Sequence, residues 1–181
     1  MKKETVLLLA LLTTLLLTGK AQDKIEWSDI RKLTVDDFKG TPSDSSKHKS
    51  SIVATGIETY FNVPEIKELT TFNKQVINYF YPDKSWILPD DHSQLTYFLT
   101  SFDINEWMAR ELRKRCNENR QQVLNGDSGK LLDVILIEFT TIQKQYSDES
   151  DNGNNAAVQM KWETKINERL ASLADFCKTC L

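Results

Sequence analysis

Histidine is almost missing from this sequence of 181 residues: His48 and His92 are the only two. Chemistry that needs several imidazoles, or an imidazole beside a nucleophile, has little to draw on. Basic charge is not in excess either. Lysine and arginine number 23 against 26 aspartates and glutamates, a formal charge of −3, so nothing in the composition attracts nucleic acid or anionic lipid. No apolar run reaches the roughly twenty residues that span a bilayer. Internal repeats and linkers are missing as well. The cysteines, Cys116, Cys177 and Cys180, are odd in number, which leaves at least one thiol free or paired between molecules.

What is there begins with a basic start, Lys2 and Lys3, ahead of an apolar stretch from Val6 to Leu17 that closes on Gly19, Lys20 and Ala21. This pattern predicts a signal peptide over residues 1–21, cleaved after Ala21, and a protein that is secreted or periplasmic. A membrane anchor is the weaker reading, because the apolar stretch is too short. Residues 22–181 make one domain's worth of chain, enough to bury a core without a metal. Their charge is more negative still, since Lys2, Lys3, Lys20 and Glu4 leave with the leader.

Residues 25–39 read as a short leading segment that runs into a turn at Gly40-Thr41-Pro42, and the Ser- and Lys-rich residues 41–51 as a surface loop. Residues 52–63 and 75–81 are rich in β-branched and aromatic side chains and read as strands. From about Ser93 to Asn119, apolar residues return at steps of three and four, as they do from Leu131 to Tyr146 and from Trp162 to Cys177. Strands first and helices afterwards predict an α+β fold, a small antiparallel sheet packed with three α-helices. All three cysteines lie on apolar stripes, and export favours oxidation. One disulfide is therefore expected from Cys116 to either Cys177 or Cys180. The Cys177-x-x-Cys180 spacing is a weak redox signal so near the carboxyl end.

Three stretches carry a resemblance: WSDIRKLTVDDFKG from Trp27, SWILPDDHSQLTYFLTSFDINEWMARELRKR from Ser85, and YSDESDNGNNAAVQMKWETKI from Tyr146. Together they resemble a bacterial family of predicted secreted zinc-dependent proteases, a domain of unknown function with an HExxHFDI helix. Tyr146, Glu149, Gly153, Gln159 and Trp162 fall at that family's spacings. The resemblance implies that the long helix stands in the position of the family's metal-binding helix. There two histidines one turn apart would hold zinc, with the glutamate between them as general base.

This sequence departs from that pattern at every ligand. Aligned on Phe102-Asp103-Ile104, the two helix histidines become Tyr97 and Ser101, the base becomes Phe98, and a loop histidine becomes Asn152. A phenol with a reference pKa near 10, a hydroxyl and an amide are poor zinc ligands at neutral pH, and a phenyl ring moves no proton. Neither catalytic nor metal-binding residues are expected, and zinc, the family's cofactor, is not expected here. Asp103 and Glu106 turn away from the Tyr97 face by helical geometry, which suits a role at the helix surface or behind a site. The Asp148–Gly153 loop lacks the bidentate glutamate of a calcium loop. Trp27, Phe38 and Trp86 match the family outside the metal site and read as packing residues.

The reading that follows is an exported, non-catalytic homologue of the protease family, with a peptide or another envelope protein as partner. Tyr97, Phe98, Ser101 and Asn152 then mark a vestigial site. The alternatives are an active zinc-dependent peptidase or hydrolase with a divergent site, and a structural envelope protein without a ligand.

Overall fold

The computed structural model describes residues 23–42, 50–61, 75–126 and 128–178. Residues 1–21, where a signal peptide is expected, His48 and Cys180 lie outside the described residues.

Three strands form one antiparallel sheet: β1 (Ile25–Glu26), β2 (Thr55–Thr59) and β3 (Val76–Phe80), in the order β1-β3-β2. The leading segment thus supplies an edge strand that its polar composition hid. The register pairs Ile25 with Phe80 on one side of β3 and Thr55 with Phe80 on the other. Strand alternation then turns Val76, Asn78 and Phe80 to one face, where all three are buried, and Tyr79 to the other.

Among the described residues four helices follow: α1 (Leu95–Glu118), a short α2 (Arg120–Leu124), α3 (Ser128–Glu149) and α4 (Ala156–Ser172). The architecture is α+β, as the element order implies, with α2 as an addition. Helix α1 starts two residues later than the periodicity suggests, because residues 89–94 form a 3-10 turn and lead straight into it without a side-chain cap. Helix α4 is capped by Asn155, whose side-chain oxygen accepts from the Val158 N–H at 3.2 Å. It stops at Ser172, and Ala174–Phe176 adds a separate 3-10 turn.

Helix α1 is the axis of the molecule. Fourteen of its 24 residues are buried, so it is covered nearly all round rather than along one stripe. Met108, Ala109, Leu112 and Cys116 pack with Val76, Val123 and Ile135. Ile104 and Trp107 pack with Tyr146, Trp162 and Ile166, and Phe102 with Leu33 and Phe80.

The cysteine expectation needs correcting. Cys116 is a free, fully buried thiol in the seam between α1, α2 and α3, and burial pushes it up to about 12. Cys177 is disulfide-bonded, but it lies beside Trp27 and Ile77, among residues that the Cys116 seam does not include. The bridge therefore does not tie the long helix to the carboxyl-terminal residues. Among the three aromatic packing residues, Phe38 meets Phe80 edge-on at 5.0 Å, while Trp86 is only half-buried and donates its indole N–H to the Ser50 carbonyl at 2.8 Å.

Candidate functional site

Helix α1 presents Tyr97, Ser101 and Asn105, each one turn after the last, to an open groove of about 840 Å³. One wall comes from the chain just before β2, including Val53, and from Thr55; the opposite wall comes from α3, with Phe139, Thr140 and Gln143. The floor is knitted by amides. Gln143 Nε2 donates to the Ser101 carbonyl at 3.0 Å and to Asn105 Oδ1 at 2.8 Å, and Asn105 Nδ2 donates in turn to Thr55 Oγ1. One chain of hydrogen bonds thereby spans α3, α1 and β2.

Asn152 reaches the same groove from the turn between α3 and α4. Asp151 and Asn152 adopt φ of 51° and 52°, and Gly153 a φ of 87°, so three successive left-handed residues reverse the chain within one tight turn. The turn is pinned where the Asn152 N–H donates to the Ser147 carbonyl at 2.9 Å and the Ser147 hydroxyl donates to Asn152 Oδ1 at 2.6 Å. Gly153 lies against Tyr97 so closely that a Cβ would stand 2.6 Å from the tyrosine Cβ. A side chain there would push the turn off the helix.

All four positions singled out in the sequence, Tyr97, Phe98, Ser101 and Asn152, line this one groove. Phe98 does not plug it: the ring is 5 % exposed and packs toward Phe38, with centroids 5.9 Å apart. Tyr97 stacks on Tyr146 at 5.0 Å. Tyr146 is buried, which raises its phenol well above the ordinary range, and its hydroxyl donates to Gln159 Oε1 at 2.5 Å. Gln159 Nε2 passes the link to Thr100 at 2.7 Å. Nearby, the Trp162 indole N–H donates to Glu149 at 2.8 Å; hydrogen bonds from Gln145 and then Trp162 hold that carboxyl below its usual range. Tyr146, Glu149, Gly153, Gln159 and Trp162 thus form the frame behind the Tyr97 side of the groove.

Asp103 and Glu106 both face away from the groove. Asp103 accepts the Trp27 indole N–H at 2.5 Å and pairs with Lys32 at 3.5 Å. Glu106 is 2 % exposed, deeper than a helix-surface role implies, and binds Arg110 and Arg113. His92 belongs to the 3-10 turn whose Asp91 and Gln94 line the groove. Among the described residues, no three of His, Cys, Asp and Glu gather as a metal site requires. Between Asp148 and Gly153, Asp148 is engaged by Lys144 and Asn152 by Ser147.

What the groove offers is neutral hydrogen bonding beside aromatic surface, with Asp91 and Lys144 its charged members. Sequence reasoning missed Asn105 and Gln143. The first was within reach, since residues 97, 101 and 105 share a helix face; the second depends on how α3 docks, which no local pattern reveals. Comparison with protein-family models, with curated proteins and with solved structures finds no match to the chain.

Proposed function

We propose that this protein is an exported, non-catalytic homologue of the secreted zinc-dependent protease family it resembles, using the groove along α1 to bind a peptide segment of an envelope protein. The observation that carries the reading is the convergence of Tyr97, Phe98 and Ser101 with Asn152, some fifty positions further on, along one groove. An alignment on chance similarity has no reason to bring a distant loop residue to the same cleft. The frame of Tyr146, Glu149, Gly153, Gln159 and Trp162 supports it too, because these residues match the family and build the far side of the cleft. A protease site on this scaffold needs three donors and an open position for water. Here a phenol, a hydroxyl and an amide stand at the ligand positions, and a buried phenyl ring at the position of the base.

The test has two arms. Elemental analysis after dialysis, with a peptide-cleavage assay in the presence and absence of chelator, should find neither stoichiometric zinc nor chelator-sensitive cleavage. Retained zinc would restore the reading as an active peptidase. Binding to a peptide library should be lost in Thr140→Trp, which fills the groove from an exposed wall position. Unchanged binding in that variant, or no binding by the parent, would remove the groove from the proposal.

A further inference from the structure

A second cavity lies across α1 from the groove, at the β1 side of the sheet, where Trp27, Asn78, Glu106, Arg110 and Lys178 line a pocket of about 300 Å³. Its inner wall is charged and buried. Glu106, Arg110 and Arg113 are 2 %, 7 % and 1 % exposed, so one carboxylate is enclosed with two guanidinium groups. Arg113 is fully engaged: Nε and Nη2 donate to the Val76 carbonyl at 3.0 and 2.6 Å, and Nη1 to Glu106 Oε1 at 2.8 Å and to the Phe176 carbonyl at 3.0 Å. Arg110 is not. Its Nε donates to the same Glu106 Oε1 at 3.2 Å and its Nη1 to the Leu170 carbonyl at 2.7 Å, while Nη2 has no hydrogen-bond partner among the described residues.

Both arginines converge on one oxygen of Glu106, which leaves Oε2 without a partner among the described residues. Asn78 spends its Nδ2 on the Phe102 carbonyl at 3.0 Å, and its buried Oδ1 has no partner. Buried polar groups are seldom left unmet, and a partly satisfied buried network is costly. The pocket therefore carries one open carboxylate acceptor and one open guanidinium donor in a wall whose formal charges balance, Glu26, Asp29 and Glu106 against Arg110, Arg113 and Lys178, with the unpartnered Asn78 oxygen buried behind it. Its volume is about ten times the share of a single water, and it lies at the lower end of small-molecule sites.

The geometry points to a site for a free α-amino acid or a similarly small zwitterion, its carboxylate on Arg110 and its ammonium on Glu106 Oε2. A simple anion answers the guanidinium but leaves the Glu106 oxygen unmet, and a simple cation does the reverse. A zwitterion answers both. Trp27 covers the Arg110 guanidinium, whose carbon lies 5.3 Å from the ring centroid, and the Lys178–Glu26 ion pair stands at the rim.

Calorimetric titration of the protein with L-alanine, N-acetyl-L-alanine and L-alaninamide separates the two charges. L-Alanine is expected to bind at least about tenfold more tightly than either blocked form, and Arg110→Lys, which keeps the charge and loses the planar fork, to weaken it at least about tenfold. With ¹⁵N-labelled parent protein, the Asn78 side-chain amide and the Arg110 Nε resonance should move on titration while the Asn105 and Gln143 amides stay in place. Equal affinity for all three probes, no binding of L-alanine by folded protein (a pocket holding water only), or movement of the groove amides instead would each overturn the assignment. None of these outcomes bears on zinc content or peptide binding in the groove.

Discussion

At the scale of single residues, the groove depends on Gly153. Its φ of 87° and the 2.6 Å approach to Tyr97 leave no room for a side chain. Gly153→Ala should cost about 1–2 kcal/mol for the left-handed conformation, and more for the clash. Denaturant unfolding would measure it, and a change within 0.5 kcal/mol, roughly that of a neutral surface substitution, would mean that the turn is not held against the helix. Glu58 gives a second handle. Hydrogen bonds from Lys24, then Tyr60, with a lesser one from Tyr81, lower its carboxyl from 4.5 to about 2. A depressed folded pKa stabilises the protein above the unfolded value, and that stability is lost as pH falls from about 4.5 toward 2. Glu58→Gln should therefore flatten the fall in stability across that window and leave the dependence above pH 6 unchanged, a comparison made by urea melts at several pH values. That Tyr97 and Ser101 share a groove was legible in the sequence, since they lie one helical turn apart; that Asn152 joins them depends on the left-handed turn after α3. What was not legible was whether Phe98 fills the groove, because that depends on Phe38, sixty positions earlier and brought over by the leading segment.

Among the elements, α1 departs furthest from expectation. Its periodicity marked one apolar face, yet charged residues on its other faces are buried as well. Glu106 reads as a surface or supporting residue because charge ordinarily means exposure, yet it is buried together with Arg110 and Arg113. The exception comes from the sheet. Even-numbered residues of β3 turn their backbone groups toward β1: Ile25 pairs with Phe80, and Trp27 N–H donates to the Asn78 carbonyl at 2.9 Å. The next carbonyl in that row, Val76, lies beyond the short β1, and the Arg113 guanidinium takes it in place of a strand. Arg113→Met should cost about 3–5 kcal/mol, since it exposes the Val76 and Phe176 carbonyls to an apolar surround and takes one of two partners from Glu106. Pairing it with Glu106→Gln should cost less than the two single changes added together, because the residues share one network. Additivity in denaturant unfolding would show that Arg113 acts through packing alone. Helices and strands were legible from periodicity and β-branching. The two-residue β1 was not, because its pairing is decided by β3, about fifty positions later.

For the whole molecule, the same helix that lines the groove and the charged pocket also joins the three apolar clusters, contributing Met108 and Leu112 to one, Ile104 and Trp107 to the second and Phe102 to the third. No cluster can open without uncovering α1. Among the described residues, the sheet has only three strands and the two outer helices each rest on α1, so neither side has a core that survives the other's loss. The protein should therefore unfold in a single cooperative step, as small single domains do. The tryptophans allow a direct check. Trp27 reports on the contact between the β1 segment and α1, and Trp107 and Trp162 on the helix side, while far-ultraviolet circular dichroism follows helix content. Fluorescence of variants that keep only Trp27, or only Trp162, should give the same denaturant midpoint as circular dichroism of the same variant. A Trp27 transition that precedes loss of helix would mean that the sheet side separates while α1, α3 and α4 stay folded. In that case the groove wall contributed by Val53 and Thr55 would open before the amide floor beneath it, and binding would fail at lower denaturant than unfolding of the helices.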